Sequence, residues 1–129
     1  MVNITLTKEE RLYFIDYNDK KILWCDYSKS GEREMIQLLR KAVELGKTVG
    51  DNLNILTDFS STPRCPEFNK LLKGYGKEFH QGGVAVKVAI LGIDSPLKRV
   101  VVNGTMVITR IKNVKLFDNR MEAKNWLTS

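Results

Sequence analysis

The sequence predicts an α/β fold: a mostly parallel sheet of about five strands flanked by about four helices, in the order β-β-α-β-α-β-α-β-α. Three observations carry this. Apolar, β-branched runs alternate with segments whose apolar residues recur at helical spacing, the pattern of strands joined by helical crossovers. The first two runs are separated only by the turn signal Asn18-Asp19-Lys20, so the chain opens on a hairpin. The chain has 129 residues, 43% apolar and 28% charged, a size and composition suited to one packed domain spanning residues 1–129.

Taken in order, residues 11–17 form a first strand through Leu12, Tyr13, Phe14 and Ile15, and residues 21–27 form a second. Ser30 is placed to cap the first helix, with Glu32 and Glu34 near its positive end. Met35, Ile36, Leu38, Leu39, Ala42, Val43 and Leu45 fall at helical spacing, and the helix ends near Gly46 or Gly50. Residues 53–58 read as a short strand, and residues 59–66 as a loop rich in Ser, Thr and Pro. A second helix buries Phe68, Leu71, Leu72, Tyr75 and Phe79 and turns Lys70, Lys73 and Lys77 outward; Gly74 and Gly76 favour fraying. Residues 84–93 hold a strand apolar on both faces, as in the centre of a parallel sheet.

The next segment supports two readings. Asp94 or Ser95 can cap a helix with Pro96 in its first turn, and Leu97, Val100, Val101, Gly104 and Ile108 then share a face. Asn103-Gly104 between β-branched residues is instead a strong hairpin signal. Val114, Leu116 and Phe117 give a last strand. Asn119, with Glu122 three residues on, opens a closing helix of Met121, Ala123, Trp126 and Leu127.

Composition excludes several classes. No heptad is sustained, and no apolar run approaches the roughly 20 residues of a transmembrane helix. Residues 1–10 hold no basic segment leading into an apolar core, so no secretory leader is expected and the chain reads as soluble and cytoplasmic. Lys plus Arg number 21 against 15 Asp plus Glu, net +6. The excess lies entirely in residues 65–129, with 11 basic and 5 acidic residues; residues 1–64 hold ten of each. A basic half attracts acidic proteins, anionic lipid or nucleic acid. Without a nucleic-acid-binding motif, weak association through that half is a lesser alternative. Cys25, in an apolar strand, is expected in the core; Cys65, in a Pro-flanked loop, is expected exposed; both are expected as free thiols. With one histidine, His80, no metal-ligand spacing appears, and no motif calls for a cofactor.

Three stretches resemble one family. Ile55-Leu56-Thr57-Asp58-Phe59 looks like its third strand, and Lys87-Val88-Ala89-Ile90-Leu91-Gly92 like its fourth. Val114-Lys115-Leu116-Phe117-Asp118, followed by Glu122-Ala123-Lys124-Asn125-Trp126-Leu127, matches a closing F-D-x-x-x-E-A-x-x-W-L pattern. The family is the STAS-like domains, named after the sporulation anti-sigma-factor antagonist, in their SpoIIAA-like branch, and the resemblance runs from about Leu12 onward. It implies helix for residues 96–110 and a regulatory role through protein interaction. The antagonists carry a phosphorylatable Ser in an Asp-Ser-x-Gly setting, whereas this chain reads Thr62-Pro63-Arg64-Cys65-Pro66-Glu67 there. Ser60, Ser61 and Thr62 lie a few residues earlier. They are candidate switch positions near a helix N-terminus, or loop and capping residues.

No constellation of catalytic residues emerges. Asp58 and Asp94 fall at strand C-termini, where open α/β sheets place ligands; with Ser60, Ser61, Thr62 and Ser95 they are the ligand or switch candidates. The serines lack a nucleophile elbow, and His80 lacks an orienting carboxylate, so it reads as a surface loop residue. Trp24 and Trp126 are expected to fill the core. The expected role is a non-enzymatic regulatory or interaction module, with Lys70, Lys73 and Lys77 facing a protein partner. The alternative is a small-ligand or lipid-binding domain. An exposed edge strand admits a homodimer.

Overall fold

The protein is described by a computed structural model that covers residues 8–50, 52–93 and 113–129. Its elements are α1 (Lys8–Arg11), β1 (Leu12–Tyr17), β2 (Lys20–Asp26), α2 (Glu32–Gly46), β3 (Asn52–Asp58), α3 (Pro66–Gln81), β4 (Ala85–Leu91), β5 (Asn113–Leu116) and α4 (Arg120–Leu127). The five strands lie side by side in chain order. β1 and β2 are antiparallel, and the β2–β3, β3–β4 and β4–β5 pairs are parallel. The α/β class and the mostly parallel five-stranded sheet are as the sequence predicts. The helix expected over residues 96–110 lies outside the described residues, as do the candidates Asp94 and Ser95.

The hairpin turns on Asn18 and Asp19, both at positive φ (51° and 62°), the geometry of a two-residue type I′ loop. Asn and Asp tolerate that region better than other side chains, so the turn fixes the register Tyr17↔Lys20. That register sets which residue faces which side for the whole sheet.

Alternation along the strands divides the core. One sheet face carries Leu12, Phe14, Leu23, Cys25, Leu53 and Ile55 and is covered by α2 and α3. The other carries Ile15, Tyr17, Ile22, Trp24, Leu56, Ala89 and Leu91 and packs against Ala123, Trp126 and Leu127 of α4. α2 follows the predicted periodicity, burying Met35, Leu38, Leu39, Ala42 and Val43. Burial of each leucine contributes about 1.5–3 kcal/mol. The helix ends at Gly46, which lets it approach β3: a Cβ there would stand 2.8 Å from Leu53 Cδ2.

Four local expectations change. The α2 N-cap is Gly31, with no side-chain cap. Ser30 is buried instead, its hydroxyl 3.4 Å from Arg11 Nη1. Cys65 is buried at 5% exposure, because as the extended N-cap residue of α3 it joins the core cluster that holds Tyr27 and Phe68. α3 runs unbroken through Gly74 and Gly76, since packing of Phe68, Leu71, Leu72, Tyr75 and Phe79 outweighs two unfavourable propensities. His80 sits in the last helical turn of α3, not in a loop, and is exposed. Asn119 caps α4 as expected, its side chain accepting from the Glu122 N–H at 3.1 Å. Trp24 is buried, and Trp126 is half-buried. Among the described residues, no helix is long and apolar enough to cross a membrane.

Candidate functional site

The C-terminal ends of β2, β3 and β4 converge on two turns of the same build. Asp26 Oδ1 accepts from the Ser28 N–H at 2.9 Å and from the Ser28 hydroxyl at 2.5 Å. Asp58 Oδ1 accepts from the Ser60 N–H at 2.8 Å and from the Ser60 hydroxyl at 2.6 Å. Each turn reads Asp-aromatic-Ser, and each is followed by a residue at positive φ: Lys29 at 57° and Ser61 at 55°. Asp26 and Asp58 are partners in the parallel register, so the turns sit side by side.

Backbone bonds lace them together. The Tyr27 N–H donates to Asp58 O and the Lys29 N–H to Ser60 O, both at 2.9 Å, while the Phe59 N–H donates to Leu91 O. The Tyr27 and Phe59 rings stack at 4.9 Å with 3° between planes, and Phe68 meets both edge-on. Gly92, at φ 82°, lies against the second turn. A Cβ there would collide with the Ser60 N and Oγ and stand 2.6 Å from Asp58 Oδ1.

Arg11, 8% exposed, clamps the first turn from below. Its Nη1 donates to Ser28 O at 2.9 Å and Asp26 O at 3.2 Å, and Nη2 lies 3.9 Å from Glu34.

This arrangement defines what the predicted candidates do. Asp58 and Ser60 are brought together, and each satisfies the other. Thr62 donates to Phe59 O at 2.8 Å, which pins the loop. Ser61 is exposed at the loop tip. Neither Ser60 nor Ser61 has a histidine in reach: His80 is 14 residues along α3 from Pro66, about 21 Å at 1.5 Å per residue. Cys25 is no nucleophile, because burial pushes its thiol far above the usual range. Burial, with Cys25 beside it, likewise holds the Tyr27 phenol well above its ordinary value. Among the described residues no group of three metal-ligating side chains occurs.

Lys70 and Lys77 on α3 are exposed, and Lys73 is half-buried. At i, i+3 and i+7 they share one face. The ion pairs among the described residues are Arg11–Glu34, Lys41–Glu44 and Lys47–Glu78, so none of the three lysines has a carboxylate partner there.

Two features escaped the sequence reading. An apolar cavity of about 70 Å³ lies between α2, α3 and the sheet, bordered by Cys25, Ala42, Leu53, Phe68, Phe79 and Val88. At the opposite end of the sheet, Asn54, Lys87 and Asn113 form a polar row across three strands. Lys87 inside the run Val86-Lys87-Val88-Ala89-Ile90-Leu91 was the available signal: a charge inside a strand otherwise apolar on both faces. No family model, curated protein or solved structure matches this chain.

Proposed function

We propose that this domain is a non-enzymatic protein-interaction module of the cytoplasm. It docks an acidic partner on the face formed by the strand-end loops and α3. The observation that carries the reading is the Lys70–Lys73–Lys77 stripe, unpaired among the described residues, on the helix that leaves the 59–65 loop. Unbalanced charge on one helix face steers and orients an oppositely charged surface. The serine hydroxyls next to it are held by their own aspartates, so the loop offers a rigid platform and not an activated nucleophile. The order of elements and the closing F-D-x-x-x-E-A-x-x-W-L pattern support a STAS-like regulatory role. The missing Asp-Ser-x-Gly motif argues that any switch differs from that of the antagonists.

The test is cross-linking and affinity capture from the native host, comparing the wild-type chain with Lys70→Glu/Lys73→Glu/Lys77→Glu. Both proteins are first matched by circular dichroism. The triple variant is expected to lose the partner, with cross-links mapping to α3. Equal recovery of the same partner would remove α3 from the interface and with it this reading.

One observation favours a second reading. The cavity between α2, α3 and the sheet is lined almost wholly by apolar side chains, which suits the end of an aliphatic ligand. A lipid retained through purification under native conditions would move the assignment there. Pairing of β1 edges between two copies is a further expectation, read out by the mass of the isolated species.

A further inference from the structure

A cleft of about 450 Å³ opens where β2, β3, β4 and β5 begin, at the end of the sheet away from the Asp-aromatic-Ser turns. Lys20, Lys21, Asn52, Asn54, Lys87 and Asn113 line it, together with apolar residues and Ser129. No aspartate or glutamate is among the described residues that line it. Its size falls within the roughly 300–1,000 Å³ of small-molecule sites.

The register builds the floor. Asn54 pairs with Lys87, and Lys87 with Asn113, so the three side chains stand in one row on one sheet face. Lys87 is half-buried and fixed in place: its Nζ donates to Trp126 O at 2.5 Å and lies 4.5 Å from the centre of the Trp126 ring. It also lies 3.4 Å from Ser129 Oγ. An ammonium has three N–H donors, so one remains for the cleft.

Burial, and then the neighbouring charge of Lys20, lowers Lys87 below the usual lysine value. The carboxamides of Asn52, Asn54 and Asn113 make no side-chain hydrogen bond to another described residue, and Lys20 makes no ion pair there.

We propose that this cleft binds a small phosphate-bearing anion of nucleotide size, with Lys20 and Lys87 supplying charge and Asn54 and Asn113 supplying amide donors. Lys20 and Lys87, on one sheet face of two strands, act as separate point charges, which suits the several oxygens of a phosphate; Lys21 borders the cleft from the other face, its Nζ 5.7 Å from the Phe14 ring centre. A planar carboxylate is better matched by the fork of an arginine, and no arginine is among the described residues lining the cleft. The amides add directional donors and acceptors of the kind that read a polar ring edge. This site is separate from the α3 face and does not depend on the partner reading above.

The test is a ¹⁵N-resolved NMR titration of the full chain at physiological salt with pyrophosphate and, separately, ADP. Sulfate at matched ionic strength is the control. Saturable shifts centred on the amides of Lys20, Asn54, Lys87 and Asn113, absent with sulfate, are expected. A response to ADP alone assigns a nucleotide; a response to both at equal affinity assigns the phosphate group itself. Lys20→Gln changes one exposed hairpin residue and is expected to weaken binding at least tenfold, roughly the effect of losing one charge-assisted contact, whereas Lys21→Gln, on the other sheet face, is the matched control. The proposal is overturned by either of two results: no saturable shift with either probe at about 10 mM, beyond the millimolar range of weak specific binding, or shifts spread equally over residues 70–77.

Discussion

Replacing Gly92 by alanine isolates what holds the strand-end face together. Two terms add. The backbone term comes from φ at 82°, where an L-residue costs roughly 1–2 kcal/mol. The contact term comes from the new Cβ, which would overlap the Ser60 N and Oγ and come within 2.6 Å of Asp58 Oδ1. These are the partners of the Asp58–Ser60 turn, so relief requires that the turn open. Hydrogen bonds to a charged acceptor contribute about 1.5–3 kcal/mol. The sum is about 3–5 kcal/mol. At about 4 °C per kcal/mol for a chain of this length, Tm falls by on the order of 10–20 °C. Gly83→Ala is the matched control: its φ is 77°, and nothing lies within 4 Å of its Cβ position. It carries the backbone term alone and should lower Tm by about 4–8 °C. The assay is thermal unfolding of both variants followed by far-ultraviolet circular dichroism. Equal losses in the two variants would refute the claim that Gly92 is there to admit the turn.

Three further outcomes are expected. Asp26→Ala and Asp58→Ala each remove an acceptor of two bonds and should cost about 1–3 kcal/mol in urea unfolding; because Lys29 N–H bonds Ser60 O across the turns, their double-mutant cycle should show coupling of about 0.5 kcal/mol or more. Neither Cys25 nor Cys65 should react with a thiol reagent in the native protein, and both should react in denaturant; burial raises the Cys25 thiol, so the unfolded chain releases its proton first and stability falls as pH rises above about 9, by up to about 1.4 kcal/mol per pH unit, a slope Cys25→Ala should flatten. Val88→Ile extends a side chain that borders the apolar cavity and should stabilise by up to about 0.8 kcal/mol, the value of one buried methylene, whereas a loss in chemical denaturation would mean that the space is not available to it.

The elements that the sequence made legible are those whose evidence is local. The Asn18-Asp19 turn, the periodicity of residues 35–45 and the Asn119 cap need only a few neighbours to be read. What it hid depends on register. Ser30 looked like a cap because nothing nearby reveals that Arg11, 19 positions away, comes to meet its hydroxyl. Cys65 looked exposed because its loop is polar, but the Tyr27–Phe59–Phe68 group closes over that end of the core only once β2 and β3 are aligned. Asp58 and Ser60 were found as strand-end residues. Their twin, Asp26 with Ser28, carries the same pattern, Asp-Tyr-Ser beside Asp-Phe-Ser, but only the register of β2 and β3 brings the two together.

The two ends of the sheet resolve their polar groups in opposite ways, and that contrast is what directs function to them. At the C-terminal ends each aspartate takes two bonds from its own serine, and the loops bond to one another, so recognition there falls to shape and to the lysines of α3. At the N-terminal ends the same alternation that buries Ile22, Leu56 and Ala89 turns Asn54, Lys87 and Asn113 toward α4. Asn54 and Lys87 in that row are half-buried, where an apolar pair would extend the core and add stability. Capping the last carbonyls of α4 accounts for one lysine. It does not account for two flanking asparagines, nor for Lys20 crowding a charge already short of solvent. Both are explained if the row is completed by an anion.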